Sequence, residues 1–247
     1  MAGAAAGAAR ESCTREEPGV PLTASCLALV ALVLAVYART AFAGVASGDS
    51  GEMVQIAYVL GVAHPPGYPL WTMLAHLFAR CESLGGSVAW RVNVSSSFFG
   101  AGAAGFLAAA ISVICEDAVA GLTAGGLFAF SPHVWAYATQ AEVFALHNCL
   151  LALLLLLLAL FNKSNGKDVT LARMGACVIG LCLSNQQTSI FFCVPWAVWA
   201  LWRARQGAKL HRPAQLAILA LCGLLGLAPY GYLVLRSARW RGGEAVW

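Results

Sequence analysis

The chain has 247 residues, of which 60% are hydrophobic and only 11% are charged. Its mean hydropathy is +0.74, whereas soluble domains carry charge on about a quarter of their residues, so the composition indicates an integral membrane protein. The net charge of +4 is modest, and the basic residues stand in short gaps between apolar runs. That distribution fits the positive-inside rule better than a nucleic-acid-binding surface.

The first 21 residues are rich in alanine and glycine and then charged, which predicts a disordered cytosolic tail over 1–21. The apolar run from Leu22 to Ala43 follows. It is long for the apolar core of a cleaved signal peptide and has the length of a membrane span, so we interpret it as a signal anchor.

Residues 44–91 form the longest segment without a continuous span. Within it, the spacing of Met53, Ile56 and Leu60 predicts a short interfacial helix over Gly51–Leu60. The three prolines of the segment 64–69 must end that helix, because proline fixes φ and removes a donor. A second interfacial helix, carrying Trp71 and Phe78, is predicted over Leu70–Arg80.

Six further spans are predicted, at about 92–115, 118–130, 143–161, 174–184, 190–202 and 216–235. Together with the first span they predict an all-α polytopic membrane protein, a bundle of about seven transmembrane helices over residues 22–235. Lysine and arginine in the gaps 162–173 and 203–212 indicate that both gaps are cytosolic. Counting outward from them places 44–91, 131–142, 185–188 and the tail 236–247 on the opposite, luminal face.

Asp49 and Glu52 stand three residues apart at a predicted helix start. One interpretation is a variant of the capping box, in which Asp49 is the N-cap residue. The other is chemical: a carboxylate partly shielded from water can act as a general base, and two carboxylates on one helical face can also bind a cation. The sequence leaves both interpretations open.

Other polar residues fall on the same predicted face. Glu142 stands at a membrane boundary, either as a charge that favours a helix N-terminus or as a functional carboxylate. Asn185 and Gln186 can bond between helices or grip a polar ligand. His64 and the arginines Arg236 and Arg239 are candidates for binding an anionic group such as a phosphate.

Taken in order, several segments of the chain resemble one known family: Gly48–Glu52, Gly61–Leu70, Trp90–Asn93, Ala141–Phe144, Ser184–Gln186 and Ala238–Trp240. In these segments the chain is similar to the vertebrate transmembrane O-mannosyltransferases that modify the IPT domains of plexins and related receptors. The resemblance implies a GT-C glycosyltransferase fold, multi-pass in the endoplasmic reticulum membrane. It also implies dolichyl phosphate mannose as donor, IPT-domain Ser/Thr hydroxyls as acceptors, and an inverting reaction.

The resemblance also implies roles for individual residues. Asp49 is expected to be the base and Glu52 to assist it. His64, Arg236 and Arg239 are expected to bind the donor phosphate, and a second set to contact substrate: Tyr68, Glu142, Asn185 and Gln186. No spacing of histidine, cysteine and acidic residues predicts a transition-metal site, and the sequence identifies no cofactor.

The chain departs from the family pattern at Gln187, where the family has histidine, and after Trp240. Fuller members continue with more spans and a luminal domain, so we expect a short or truncated form. Two alternatives remain open at this stage. One is a transporter with a carboxylate ion or substrate site, and the other is a non-catalytic truncated form that retains only binding.

Overall fold

A computed structural model describes residues 22–205, 207 and 210–239, with the side chains of residues 22, 238 and 239 outside the description. The tail predicted over 1–21 and the end of the chain from residue 240 also lie outside the described residues. In the described part every regular element is helical. The α-helices are α1 Leu22–Thr40, α2 Ser50–Val59, α3 Pro69–Arg80, α4 Val88–Cys115, α5 Ala118–Ala129, α6 Pro132–Ala138, α7 Phe144–Lys163, α8 Val169–Asn185, α9 Ile190–Ala204, α10 Pro213–Gly226 and α11 Pro229–Arg239.

The all-α prediction is confirmed, and the predicted spans correspond in order to α1, α4, α5, α7, α8, α9 and the pair α10–α11. Three helices of the described residues, α1, α4 and α7, are long and apolar enough to cross a membrane, or up to four if α10 and α11 are one bent span. Helices α5 and α8 are apolar but shorter. The seven-span count and the GT-C arrangement remain predictions.

The last predicted span is not one continuous helix. It bends by 49° between α10 and α11, because Pro229 begins α11 and a proline cannot donate the backbone hydrogen bond that would continue the preceding helix. The bend leaves α11 packed against α3 and α8. The tyrosine hydroxyl of Tyr232 donates to the carbonyl of Leu60 at 2.6 Å, which ties α11 to the loop between α2 and α3.

Helix α4 is the centre of the bundle and packs against α1, α5 and α7. Its contact with α5 is a close backbone approach: a Cβ added to Gly121 would lie 2.3 Å from the carbonyl oxygen of Ala108. A Cβ on Gly125 would lie 2.7 Å from the carbonyl oxygen of Ala104. Small residues are the usual means of helix association in lipid, where van der Waals packing replaces the hydrophobic effect.

The two short helices of the first loop are built into the protein core. Met53 and Ile56 share one face of α2, as their spacing predicts, and this face packs in one buried cluster with Trp71 of α3. The interfacial placement of α2 and α3 stays a prediction, although Trp71 itself is completely buried. Trp71 packs against protein because α3 contacts α2, α4, α8 and α11.

The polar loops meet at one end of the bundle. Phe42 donates its backbone N–H to the carbonyl of Thr139 at 3.0 Å, and the Asn185 amide donates to the carbonyl of Val143 at 3.3 Å. At the other end, Arg203 donates to the side chains of Asn162 and Asn165. The contacts therefore separate the same two groups of loops as the lysine and arginine pattern, while the compartment that each end faces stays a prediction.

Candidate functional site

Asp49 lies immediately before α2, but its carboxylate does not cap the helix. Its backbone is in the right-handed helical region and its side chain accepts no capping hydrogen bond. The backbone carbonyl of Asp49 accepts from Met53 N–H at 2.9 Å, and the side chain is 61% exposed. The capping-box interpretation is therefore wrong, and the carboxylate is turned towards solvent.

The Glu52 carboxylate contacts one histidine with both of its oxygens. Its Oε1 accepts the backbone N–H of His64 at 2.7 Å, and its Oε2 lies 2.9 Å from the imidazole Nδ1. The opposite nitrogen, Nε2, lies 3.3 Å from the hydroxyl of Tyr68 and 3.9 Å from Oδ2 of Asp49. The proline-rich loop thus folds back on the first turn of α2 and places His64 between the two acidic residues.

Glu142 reaches the same place from the segment that leads into α7. It is only 7% exposed, and its carboxylate accepts the backbone N–H of Asp49. Burial raises the pKa of the Glu142 carboxyl, and the negative charge of Asp49 raises it further. The bond from the Asp49 N–H and the charge of His64 act in the opposite direction on that pKa. The buried carboxyl of Glu142 therefore lies against the backbone of Asp49, whose own carboxylate is exposed.

The hydroxyl of Tyr68 is affected by the negative charge of all three carboxylates. Burial raises its pKa, and the carboxylates of Asp49, Glu142 and Glu52 raise it further, in that order. The phenol therefore keeps its proton and is a hydrogen-bond donor. We name these five residues, Asp49, Glu52, His64, Tyr68 and Glu142, the carboxylate cluster.

Of the two predicted amides, Asn185 is connected to the carboxylate cluster through the backbone next to Glu142. Asn185 is almost completely buried and donates to Val143, the neighbour of Glu142. The side-chain oxygens of Asn185 and Gln186 are buried without a hydrogen-bond partner among the described residues. The orphaned oxygen of Asn185, on a residue bonded to the neighbour of Glu142, is suited to accept a hydrogen bond from a hydroxyl group.

Of the predicted arginines, Arg236 lies far from Asp49. Arg236 donates to the carbonyl of Val59 at 3.4 Å, at the opposite end of α2, and ten residues of helix span about 15 Å. The side chain of Arg239 lies outside the described residues. Of the two predicted phosphate-binding residues whose side chains are described, His64 lies in the carboxylate cluster and Arg236 does not.

Sequence reasoning missed the residues that support the two loops from α4. Asn93 is fully buried, and its amide donates to the carbonyls of Phe42 at 2.8 Å and Gly44 at 2.9 Å. Ser96 donates to the carbonyl of Glu142 at 3.4 Å. The available signal was the polar run Asn93–Ser97 inside an otherwise apolar span, since polar groups in lipid-spanning segments need partners.

The cluster supplies an exposed carboxylate that can accept a proton, a histidine beside it and a protonated phenol as donor. Within the described part of the chain, no group of three or more histidine, cysteine and acidic side chains is disposed to hold a metal ion. A hydroxyl group of an acceptor is a weak nucleophile, and a positioned carboxylate of this kind is what activates one.

Comparison with known proteins gives a match between residues 49–209 and the family described as "Protein O-mannosyl-transferase TMEM260 N-terminal domain". The chain is 38% identical over 224 residues to the mouse Protein O-mannosyl-transferase TMEM260, covering 88% of this chain and 32% of the relative. It is 32% identical over 223 residues to the Dictyostelium discoideum protein of that name, covering 84% of this chain and 27% of the relative. The chain thus spans about a third or less of the curated relatives it matches. No solved structure matches the chain.

Proposed function

The chain belongs to the family of the protein O-mannosyl-transferase TMEM260 N-terminal domain, and we propose that it is the membrane-embedded catalytic module of a protein O-mannosyltransferase. The donor is dolichyl phosphate mannose and the acceptors are Ser/Thr hydroxyls of receptor IPT domains, in the lumen of the endoplasmic reticulum. The observation that carries this proposal is the exposed Asp49 carboxylate at the edge of the carboxylate cluster, inside the segment that matches the family.

In the proposed reaction Asp49 takes the proton from the acceptor hydroxyl. The oxygen attacks the anomeric carbon of mannose from the side opposite the phosphate, and the carbon–oxygen bond to the phosphate breaks with its electron pair leaving on the phosphate. The configuration at that carbon is inverted, and the products are the mannosylated protein and dolichyl phosphate. A base positioned for such a proton transfer contributes about 10²- to 10⁴-fold in rate.

The choice of Asp49 among three carboxylates rests on access. Both oxygens of Glu52 are engaged by His64, and Glu142 is buried against the backbone of Asp49. Asp49 alone of the three is mostly exposed. A base must come within hydrogen-bond reach of the proton it removes, so the exposed group is the one that can meet a folded protein acceptor.

The remaining residues are proposed to hold the substrates. Tyr68, Asn185 and Gln186 offer one donor and two orphaned acceptors to the sugar hydroxyls. Arg236 and Arg239 are proposed to stabilise the donor phosphate from α11, which is fixed to the α2–α3 loop. His64, the third candidate for binding the donor phosphate, has its Nε2 3.9 Å from Oδ2 of Asp49.

The test is transfer by the 247-residue chain itself. The purified chain in lipid vesicles is supplied with dolichyl phosphate carrying labelled mannose and with a purified IPT domain. We expect label on Ser/Thr residues of the IPT domain, located by mass spectrometry. If the mouse relative transfers in the same vesicles and this chain binds donor without transferring, the chain is the non-catalytic form. Ion-driven uptake of a solute without any transfer supports the transporter alternative.

A further inference from the structure

The contact between Glu52 and His64 determines which imidazole nitrogen carries the proton. An ionised carboxylate only accepts hydrogen bonds, and Oε2 of Glu52 lies 2.9 Å from Nδ1. The proton therefore resides on Nδ1, and the backbone N–H of His64, bound to Oε1 at 2.7 Å, prevents the carboxylate from rotating away. In neutral His64 the free lone pair is then on Nε2.

That lone pair faces the proposed base. Nε2 of His64 lies 3.3 Å from the Tyr68 hydroxyl, which donates to it, and 3.9 Å from Oδ2 of Asp49. The second distance exceeds a hydrogen bond by about 1 Å. Because the Asp49 side chain is 61% exposed, a rotation of that side chain or one bridging water closes the gap. The relay also requires the Tyr68 hydroxyl to turn its proton from Nε2 to a substrate hydroxyl, which frees the lone pair.

We propose that Glu52 and His64 form an oriented relay that receives the proton from Asp49, which rests on the proposed function of Asp49 as base. Asp49 takes the proton from the acceptor hydroxyl and passes it to Nε2 of His64. The imidazolium formed in this way is paired with the Glu52 carboxylate, and it later releases the proton to water. Asp49 is returned to its ionised form, while the carbon–oxygen bonds form and break as in the proposed reaction.

His64 and Glu52 are thus positioning residues that act through Asp49. The charged and titratable groups that face His64 are Asp49 and Glu52 from the start of α2, Tyr68 from the start of α3 and Glu142 from the segment before α7. Three of these are acidic, so the cluster stabilises the positive imidazolium that the relay creates.

A purely structural role is the competing explanation, because the same two bonds also fasten the proline-rich loop to α2. Substituting Glu52→Gln separates the two explanations. The glutamine oxygen can still accept the backbone N–H of His64, which preserves the fastening. Its NH₂ group then points at Nδ1 and donates to it, which moves the imidazole proton to Nε2 and abolishes the acceptor that faces Asp49.

The first arm of the experiment does not depend on activity. The full chain is labelled with ¹⁵N-histidine in detergent micelles, the His64 signal is assigned from its loss in His64→Gln, and the tautomer is read from the ¹⁵N shifts at about pH 8, where an ordinary imidazole is neutral. We expect the proton on Nδ1 in the wild type and on Nε2 in Glu52→Gln. A wild-type proton on Nε2 overturns the relay.

The second arm measures mannosyl transfer. Glu52→Gln is expected to lower kcat roughly 100-fold or more, with the KM for the IPT domain and the melting temperature unchanged. Free imidazole is expected to restore part of the activity of His64→Ala. The matched control is His76→Gln, since His76 also bonds α3 to α2 through Nδ1, at 2.7 Å from the carbonyl of Ala57, but lies outside the carboxylate cluster.

The outcomes separate the relay from the proposed function. Wild-type kcat in Glu52→Gln, or no response of His64→Ala to imidazole, overturns the relay and leaves Asp49 as an unassisted base. If the wild-type chain transfers no mannose at all, the proposed function fails for this chain. The tautomer measurement then still decides whether Glu52 orients His64 towards Asp49.

Discussion

Replacing Asp49 with asparagine is expected to remove catalysis while leaving the fold intact. The Asp49 side chain is 61% exposed and makes no capping hydrogen bond. The backbone bonds at this position, to Met53 N–H and to the Glu142 carboxylate, do not involve the side chain. An exposed substitution of this kind changes the free energy of unfolding by about 0.5 kcal/mol or less.

The expected effect on the reaction is much larger. Loss of a positioned base lowers the rate about 10²- to 10⁴-fold, which corresponds to roughly 3–5 kcal/mol in the activation free energy at about 1.36 kcal/mol for each factor of ten. The contrast is Glu52→Ala, which removes the two bonds to His64 at 2.7 and 2.9 Å. That substitution is expected to cost about 1–3 kcal/mol of stability in addition to activity.

The assay compares initial rates of mannosyl transfer with melting temperatures in the same detergent. The matched control is Asp117→Asn, at the start of α5, where the side chain accepts Val119 N–H at 2.8 Å and asparagine caps equally well. Transfer by Asp49→Asn within a few-fold of wild type refutes the assignment of Asp49 as base. If Asp49→Asn lowers the melting temperature as much as Glu52→Ala does, the claim that the Asp49 side chain does not stabilise the fold is refuted.

Three further outcomes are expected. Gly226→Leu should lower the melting temperature, because a Cβ at this position would lie 2.1 Å from a carbonyl oxygen of α8 and overpacking of this kind costs about 1–3 kcal/mol. Gly231→Ala should leave the melting temperature unchanged, because nothing lies within 4 Å of a Cβ at that position. The pKa of the Glu142 carboxyl is raised above its ordinary 4.5, so the folded protein favours the protonated form. The stability that this carboxyl contributes is fully present below pH 4.5 and is lost as the pH rises through the raised pKa. Glu142→Gln should abolish this part of the pH dependence of the melting temperature, and an unchanged dependence contradicts the argument. Glycosylation tags placed in 44–48 and in 203–212 should report lumen and cytosol respectively; the reverse result overturns the placement of the site.

Much of the helical framework could be predicted from the sequence. Apolar runs of membrane-spanning length must be helical, because a backbone in lipid has to satisfy its own hydrogen bonds. The helix over 51–60 and the face shared by Met53 and Ile56 followed from spacing alone. The bend before Pro229 was also within reach, since a proline inside a predicted span is a signal for a break.

The carboxylate cluster was only partly within reach. Sequence reasoning, aided by the family resemblance, named all five of its members, but the pairing of Glu52 with His64 joins residues twelve apart through a turn. The approach of Glu142 to the backbone of Asp49 joins the segments that precede two different helices, α7 and α2. Such contacts depend on how helices pack, which no local pattern encodes.

The loop at 48–52 shows which features follow from the sequence and which depend on the tertiary structure. Its acidic residues and the start of a helix are properties of the sequence, and both a cap and a base were consistent with them. Only the tertiary structure decided against the cap, because the loop and the segment before α7 are held together by Asn93 and Ser96 of α4. That support places the Asp49 backbone N–H on Glu142 and leaves the Asp49 carboxylate exposed beside His64.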